Sequence, residues 1–211
     1  MTVLKDIRKS YDFARLEEEA LPAEPFGLFR IWLQEVLESG QEEPTAMTLS
    51  TCAGGWPDSR IVLLKEMTSD GFSFFTNYQS AKGRQLSQNP HVALNFFWSA
   101  LERQVRISGT VVKLTEQQSV DYFRSRPRES QLGAWASGQS QVIASRKTLE
   151  DRYSFFEKLY ADKEIDKPDH WGGYRVIPSR MEFWQGRSGR LHDRIAYERD
   201  QDRWTRSRLA P

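Results

Sequence analysis

The 211-residue chain contains a single cysteine, Cys52, which excludes an intrachain disulfide and any cysteine-cluster zinc site; the thiol reads as core filler rather than a nucleophile. Histidine is almost as scarce. His91, His170 and His192 are too scattered for a metal-ligand spacing, so no metal is expected. Neither sign of charge dominates, because 30 Lys+Arg face 29 Asp+Glu for a net charge of +1. A global pull toward nucleic acid or an anionic membrane is therefore not expected, and any anion site has to be local. Long apolar runs are missing as well: the opening MTVLKDIRKSYDFARLEEEA alternates charged and apolar residues and reads as neither a signal peptide nor a membrane span, which makes a cytoplasmic location the expectation. There is no glycine-rich dinucleotide fingerprint, Walker loop, HExxH or GxSxG. Rossmann nucleotide binding, zinc hydrolysis and a Ser-His-Asp hydrolase lose their usual signatures with them.

Large rings are abundant. Seven Trp and 12 Phe in a chain of mean hydropathy -0.66 imply a core built largely from aromatics inside a heavily charged exterior. The length suits one domain. Residues 1–20 carry only sparse apolar positions (Val3, Leu4, Ile7, Tyr11, Phe13) and read as an N-terminal arm or short helix; 21–211 reads as the domain proper. Pro25 opens a helix whose apolar residues Phe26, Phe29, Ile31, Trp32, Leu33, Val36 and Leu37 recur at helical spacing up to Gly40. From Ala46 the texture becomes β-rich: AMTLSTC, SRIVLLKEM, GFSFFTN, HVALNFFW and RQVRISGTVVKL, separated by AGGWPD, TSD, the polar insert SAKGRQLSQNP and WSALE. Thr115 and Gln118 form a capping-box pattern before SVDYFRSR, a helix with a following loop is expected in ESQLGAWASGQSQVIASR, and SRKTLEDRYSFFEKLYADKE reads as a longer helix. Strands resume in GGYRVIP, RMEFWQG, DRIAYERD and DRWTRSRL. The expectation is one α+β domain in which late strands complete an early antiparallel barrel or sandwich.

Several polar residues sit where strands should end. Arg60 and Lys65 flank the apolar run Ile61 to Leu64 and fall on opposite faces of a regular strand unless it bends. They are either a solvent-facing pair or part of a site. Gln104 beside Arg103 is either an edge residue or an amide able to pair with a heterocycle through both donors and acceptor. The insert from Ser80 to Pro90 is either a connector or a helix whose first turn binds an anion. SRPRES concentrates Arg126, Arg128 and Ser130 near Tyr122, a set that is either solvated surface or a phosphate grip. RSGRLHDR is denser, with Arg187, Arg190, His192 and Arg194 within eight residues and Asp193 the only acid. In a strand Arg190, His192 and Arg194 would share one face.

Taken in order, RIVLLK (60–65), SRPRESQLGAW (125–135), WGGYRV (171–176), EFWQG (182–186), RLHDR (190–194) and the terminal RLAP (208–211) resemble the pyridoxamine 5′-phosphate oxidase family from about Arg8 to Pro211. The resemblance implies an FMN-binding split β-barrel with flanking helices, working as a homodimer with FMN at the subunit interface. It further implies oxidation of pyridoxamine 5′-phosphate and pyridoxine 5′-phosphate to pyridoxal 5′-phosphate, with O2 reduced to H2O2. The flavin contacts it carries over are Arg60, Ile61, Val62, Leu63, Leu64, Lys65, Phe75, Thr76, Lys82, Gln104, Trp184 and Arg194, with Gln139 and Ser140 supplied by the other subunit. For the substrate it implies Lys65, Tyr122, Arg126 and Ser130 around the phosphate, Arg190, Leu191 and His192 over the ring, and Arg8 and Tyr11 closing the site. Arg190 and His192 are the candidates for catalysis, and Glu43 stands where an acidic active-site residue is expected.

One departure concerns the cofactor. Where the family commonly reads Ser-Arg-Lys, this chain has Ser80-Ala81-Lys82, one arginine short, with Arg84 the available substitute. Losing such a contact costs roughly 1.5–3 kcal/mol if nothing compensates. The rival readings are another split-barrel flavin oxidase, which aromatises a biosynthetic intermediate, and a non-catalytic FMN- or pyridoxal-phosphate-binding protein. Nucleic-acid binding is disfavoured by the near-neutral charge and the lack of a binding motif.

Overall fold

The computed structural model describes residues 4, 10, 11 and 13–211. Helix α1 (Pro25–Glu38) starts at Pro25, whose missing N–H costs nothing in a first turn. Its buried residues Phe26, Phe29, Trp32 and Val36 form one stripe. The stripe lands on aromatic residues of the sheet: Phe29 meets Phe72 at 4.8 Å and Phe96 at 5.1 Å, and Trp32 meets Phe183 edge-on at 5.3 Å. Ile31 and Leu37, counted with the stripe by spacing, remain half exposed.

Strands β1 (Ala46–Ala53) and β2 (Trp56–Leu63) form a hairpin. Its turn is only Gly54-Gly55, with φ of 58° and 81°, so the expected AGGWPD connector shrinks to the two residues that tolerate a left-handed backbone. The SRIVLLKEM run is broken: β2 stops at Leu63 and β3 (Glu66–Thr68) begins after Lys65. Strand β4 (Gly71–Asn77) leads through the Ser80 cap into α2 (Ala81–Gln88), and β5 (His91–Trp98) and β6 (Arg103–Lys113) follow.

Helix α3 (Glu116–Ser125) opens on a complete capping box from Thr115 and Gln118. With α4 (Arg128–Ala136) and α5 (Arg146–Leu159) it covers a second small core of Phe123, Leu132, Ile165 and Trp171.

GGYRVIP and RMEFWQG are not two strands but one, β7 (Trp171–Gln185). It continues through Pro178 because a register shift at Ser108/Gly109 of β6 opens the ladder at that point, where a residue without an N–H is tolerated. Strands β8 (Asp193–Asp200) and β9 (Arg203–Arg208) complete a nine-stranded antiparallel sheet ordered β2-β1-β5-β6-β7-β4-β3, with β8 and β9 carried off β7. The late strand β7 thus separates β6 from β4, as expected of an early sheet completed by C-terminal strands. Leu16, inside the expected arm, is buried in the main core. Among the described residues no helix is long and apolar enough to cross a membrane.

Phe29 has no exposed surface and touches three other rings. Phe29→Ala should lower stability by about 3–5 kcal/mol. Urea unfolding at fixed protein concentration checks this, and a loss under about 1 kcal/mol would make α1 a peripheral element.

Candidate active site

The residues singled out by sequence separate into two groups. The first lines a cavity of about 770 Å³ bounded by β2, the end of β4, α2 and the α3–α4 turn. Arg60, Ile61, Val62, Leu63, Lys65, Phe75, Thr76, Lys82, Tyr122, Arg126, Ser130 and Gln139 all face it. Arg60 and Lys65 reach the same space because the strand ends between them: Leu64 donates to Thr45 O and Lys65 to Ser73 O, each at 2.9 Å. Leu64 itself turns into the core at 5% exposure and does not line the cavity.

Lys82 is the unusual cation. It lies in the first turn of α2, is buried, and gives its Nζ to Thr76 Oγ1 at 3.2 Å and Gln139 Oε1 at 3.3 Å. No carboxylate of the described residues lies within ion-pair distance of it. Burial, reinforced by the nearby Arg60 charge, pushes its pKa below the usual lysine value. Arg60 is better provided for: it donates to Thr51 Oγ1 at 2.8 Å, Gln85 Oε1 at 2.8 Å and Asp58 Oδ2 at 2.6 Å. Arg84 does not replace the arginine missing at Ala81, since it is exposed and donates to the Gln79 carbonyl at 2.5 Å. Within the chain Gln139 reaches Lys82, because the turn after α4 folds back over Thr76. Ser140, exposed with φ of 68°, and Glu43, exposed with φ of 49°, do not line the cavity.

On another wall Phe75, Tyr122 and Trp171 are stacked, with centroids 3.8 Å apart for Phe75–Tyr122 and 5.5 Å for Phe75–Trp171. The Arg126 guanidinium lies 4.6 Å over Trp171, and its Nη1 is buried without a hydrogen-bond partner among the described residues. Desolvation lowers its pKa, opposed by the nearby Tyr122. A buried N–H left unmade costs about 1–3 kcal/mol, more when charged, so such an atom marks a place for an acceptor.

The second group sits at the far end of β7. Gln104, Trp184 and Arg194 are in register across β6, β7 and β8. Arg194 gives Nε and Nη2 to Glu182 Oε1 at 2.9 and 2.8 Å, and Nη1 to Ala210 O at 2.7 Å. Glu182 is 2% exposed; burial pushes its carboxyl up, yet Arg194 and Arg180 together hold it below the usual value. Tyr11, Trp184 and His192 form a ring cluster with centroids 4.7–5.8 Å apart. His192 Nδ1 accepts the Arg187 N–H at 3.0 Å, so the neutral ring carries its proton on Nε2. Desolvation, then the Arg190 charge, lowers its pKa and keeps it neutral at pH 7.

Arg190, His192 and Arg194 do not share a strand face. Ser188–Arg190 is a 3₁₀ turn with Gly189 and Arg190 at φ of 65° and 63°, and β8 begins only at Asp193. Arg190 and Leu191 are exposed. Arg8 lies outside the described residues. Sequence reasoning assigned no role to Trp171 or Glu182, although both stand inside recognised segments, because an isolated Trp or Glu in a strand carries no signal of its own.

Two family models match the chain. Pyridoxamine 5′-phosphate oxidase covers residues 33–157, and the pyridoxine 5′-phosphate oxidase C-terminal dimerisation region covers 171–211. The chain belongs to the pyridoxamine 5′-phosphate oxidase family. Among relatives named pyridoxine/pyridoxamine 5′-phosphate oxidase, that of Leptospira biflexa is 51% identical over 212 residues (100% of each chain). That of Pseudomonas paraeruginosa is 52% identical over 211 residues (99% of this chain, 98% of the relative). Of solved structures, PhzG from Burkholderia lata in complex with tetrahydrophenazine-1-carboxylic acid superposes with a TM-score of 0.90 at 30% identity, covering 96% of this chain and 100% of that one. A pyridoxamine 5′-phosphate oxidase-related, FMN-binding protein from Nostoc punctiforme gives 0.71 at 15% identity (90% and 100%), a likeness of fold. The expected α+β split barrel stands. In this chain the first matched region contains Lys82 and Arg126 of the cavity and the second the Trp184–Arg194 group.

Two outcomes follow from these charges. Added inorganic phosphate should raise the melting temperature of the wild type, and Lys82→Met should reduce that rise, leaving the part due to Arg126, while ligand-free stability stays within about 1 kcal/mol, because among the described residues the buried ammonium has no ion partner to lose. Glu182 has a depressed folded pKa, so its contribution is full above the ordinary carboxylate value of about 4 and lost as pH falls through the folded value. Glu182→Gln should flatten the acid limb of a melting-temperature profile; an unchanged limb would assign acid unfolding to other carboxylates.

Proposed function

We propose that this chain oxidises pyridoxamine 5′-phosphate or pyridoxine 5′-phosphate at the C4′ carbon to pyridoxal 5′-phosphate. In the amine reaction O2 and water are consumed, and ammonia and H2O2 are released. The observation that carries the reading is the presence in one cavity of two cations, Lys82 and Arg126, that have no anionic partner among the described residues, which suits two separate phosphates. FMN fits the first: Lys82, Thr76 and Arg60 would hold its phosphate, and Gln104, Gln139, Trp184 and Arg194 its ring system. FMN supplies the two-electron acceptor when bound; the protein contributes binding, orientation and electrostatics.

The substrate phosphate is assigned to Arg126, Ser130, Tyr122 and Lys65. Gripping a remote phosphate provides binding energy that orients the reacting carbon, so unphosphorylated pyridoxamine should react poorly. Arg190 orients the pyridine ring, and His192, neutral with Nε2–H available, donates near C4′. The two groups of site residues lie eleven positions apart along β7, Phe75 pairing with Gly173 and Trp184 with Gln104. That contour, up to roughly 36 Å at about 3.3 Å per residue, supports a homodimer in which one chain's Trp184 group completes its partner's cavity. Exposed Ile61, Phe97 and Leu191 on the lone chain support the same assembly. Residues 1–20 are read as the arm that closes the site, and 21–211 as the domain.

The PhzG likeness keeps a tetrahydrophenazine-type acid as the rival substrate, but the phosphate grips and the higher identity to the phosphate oxidases favour the vitamin substrate. Anaerobic addition of pyridoxamine 5′-phosphate to the flavin-loaded protein should bleach its yellow band, and air should restore it with one H2O2 per aldehyde. Bleaching by the tricyclic acid alone would transfer the assignment to the rival. Arg126→Met should cost about 1.5–3 kcal/mol in kcat/KM for the phosphorylated substrate. His192→Asn should lower turnover with flavin content unchanged; equal loss of both would make His192 structural.

A further inference from the structure

The stretch from Tyr11 to Glu18 has little apolar surface to hold it, Leu16 being its buried anchor, yet hydrogen bonds tie it down at Phe13, Leu16 and Glu18. The Leu16 N–H donates to Asp193 Oδ2 at 3.2 Å, and the Leu16 carbonyl accepts from Arg208 Nη2 at 2.6 Å. The Glu18 carboxylate pairs with the same guanidinium, at 2.6 Å between Nη2 and Oε2. The Phe13 N–H donates to Glu102 Oε2 at 3.1 Å. At the head of the segment the Tyr11 ring fills a notch left by Gly186, where a Cβ would come within 2.8 Å of it. From that notch Tyr11 meets Trp184 and His192 edge-on.

Asp193 is the hub. Its Oδ1 accepts from Arg208 Nη1 at 2.7 Å and its Oδ2 from Arg187 Nη1 at 3.0 Å, so one carboxylate joins the N-terminal stretch, β9 and the turn before β8. The backbone N–H of that same Arg187 holds His192 Nδ1. Burial pushes the Asp193 carboxyl up, and the Leu16 N–H, Arg208 and Arg187 more than offset it, leaving it charged.

We infer that Asp193 is a positioning residue. Through Arg187, Arg208 and the Leu16 backbone its carboxylate sets Tyr11 and His192 into one wall of the substrate site, and the bare backbone of Gly186 provides the seat for Tyr11. The kinetic consequence rests on the function proposed above; the structural one does not.

The test is limited tryptic digestion of the flavin-loaded protein, following cleavage after Arg15 by mass spectrometry, beside steady-state kinetics with pyridoxamine 5′-phosphate. In Asp193→Asn, cleavage at Arg15 and KM should both rise about tenfold, the size of one charge-assisted hydrogen bond, with flavin per chain unchanged. Gly186→Ala, which leaves every charge in place, should reproduce both effects by displacing Tyr11, and Arg208→Lys should fall between. Unchanged cleavage in Asp193→Asn overturns the inference, as does a parallel loss of flavin and kcat, which would make Asp193 part of the general scaffold. Should the wild type fail to oxidise this substrate, faster cleavage in Asp193→Asn still upholds the tie while the functional reading falls.

Discussion

Strand β7 is hydrogen-bonded on both flanks, to β4 at its start, to β6 from Tyr174 to Gln185 and to β8 at its end. A backbone paired in this way cannot shift by one residue without exchanging its core and surface faces. Tyr174, Val176, Met181 and Phe183 hold the register from within the core. The bend needed to pass Pro178 is accommodated at Gly109 of β6, where an added Cβ would lie 2.2 Å from the Ile177 carbonyl oxygen. With that register set, the start of β7 places Trp171 beneath Arg126, and its end places Trp184 between Gln104 and Arg194. Both halves of the site are therefore positioned by one rigid element, the arrangement that holds a constellation of side chains most accurately.

Charge pairing separates the two kinds of arginine and lysine in this chain. Arg103 is buried, but it bonds Gln185 at 2.9 Å, pairs with Glu35 and lies 4.5 Å over Trp32, so it braces α1 against the sheet. Arg194 and Arg208 are committed to Glu182, Asp193 and Glu18 in the same manner. Lys82 and Arg126 have been desolvated without an anion among the described residues, which is costly unless something else brings one. The distinction rests on the partner and not on the residue type. It is why a net charge of +1 coexists with a cavity suited to phosphates.

The N-terminal stretch and the C-terminal strand form the outer part of this design. Arg206 reaches the Leu21 carbonyl at 2.9 Å and Arg208 reaches Leu16, so β9 acts as a clamp on the segment leading into α1. The most polar terminal regions of the sequence are thus joined through side chain to backbone bonds, where the apolar content is too low for burial to hold them.

The sequence by itself determined the elements whose signals are local. Pro25 and the aromatic spacing of α1, the Thr115/Gln118 box of α3 and the ordered RIVLLK-to-RLAP segments could be read because each depends on neighbours a few residues away. Tertiary structure alone decided the continuity of β7 through Pro178, since the tolerance of a missing N–H depends on a register shift in a different strand. It also decided that Leu64 turns inward between Ile61 and Lys65, that Arg84 faces solvent where Ala81 leaves a charge missing, and that a left-handed turn takes Arg190 off the face of Arg194. The period-two argument failed at Arg190 because it presumes an extended backbone, and Gly189 makes a turn there. Whether a given cation is braced or left open for an anion was likewise absent from the sequence: the carboxylates that answer the question stand up to 190 positions away, as Glu18 does from Arg208.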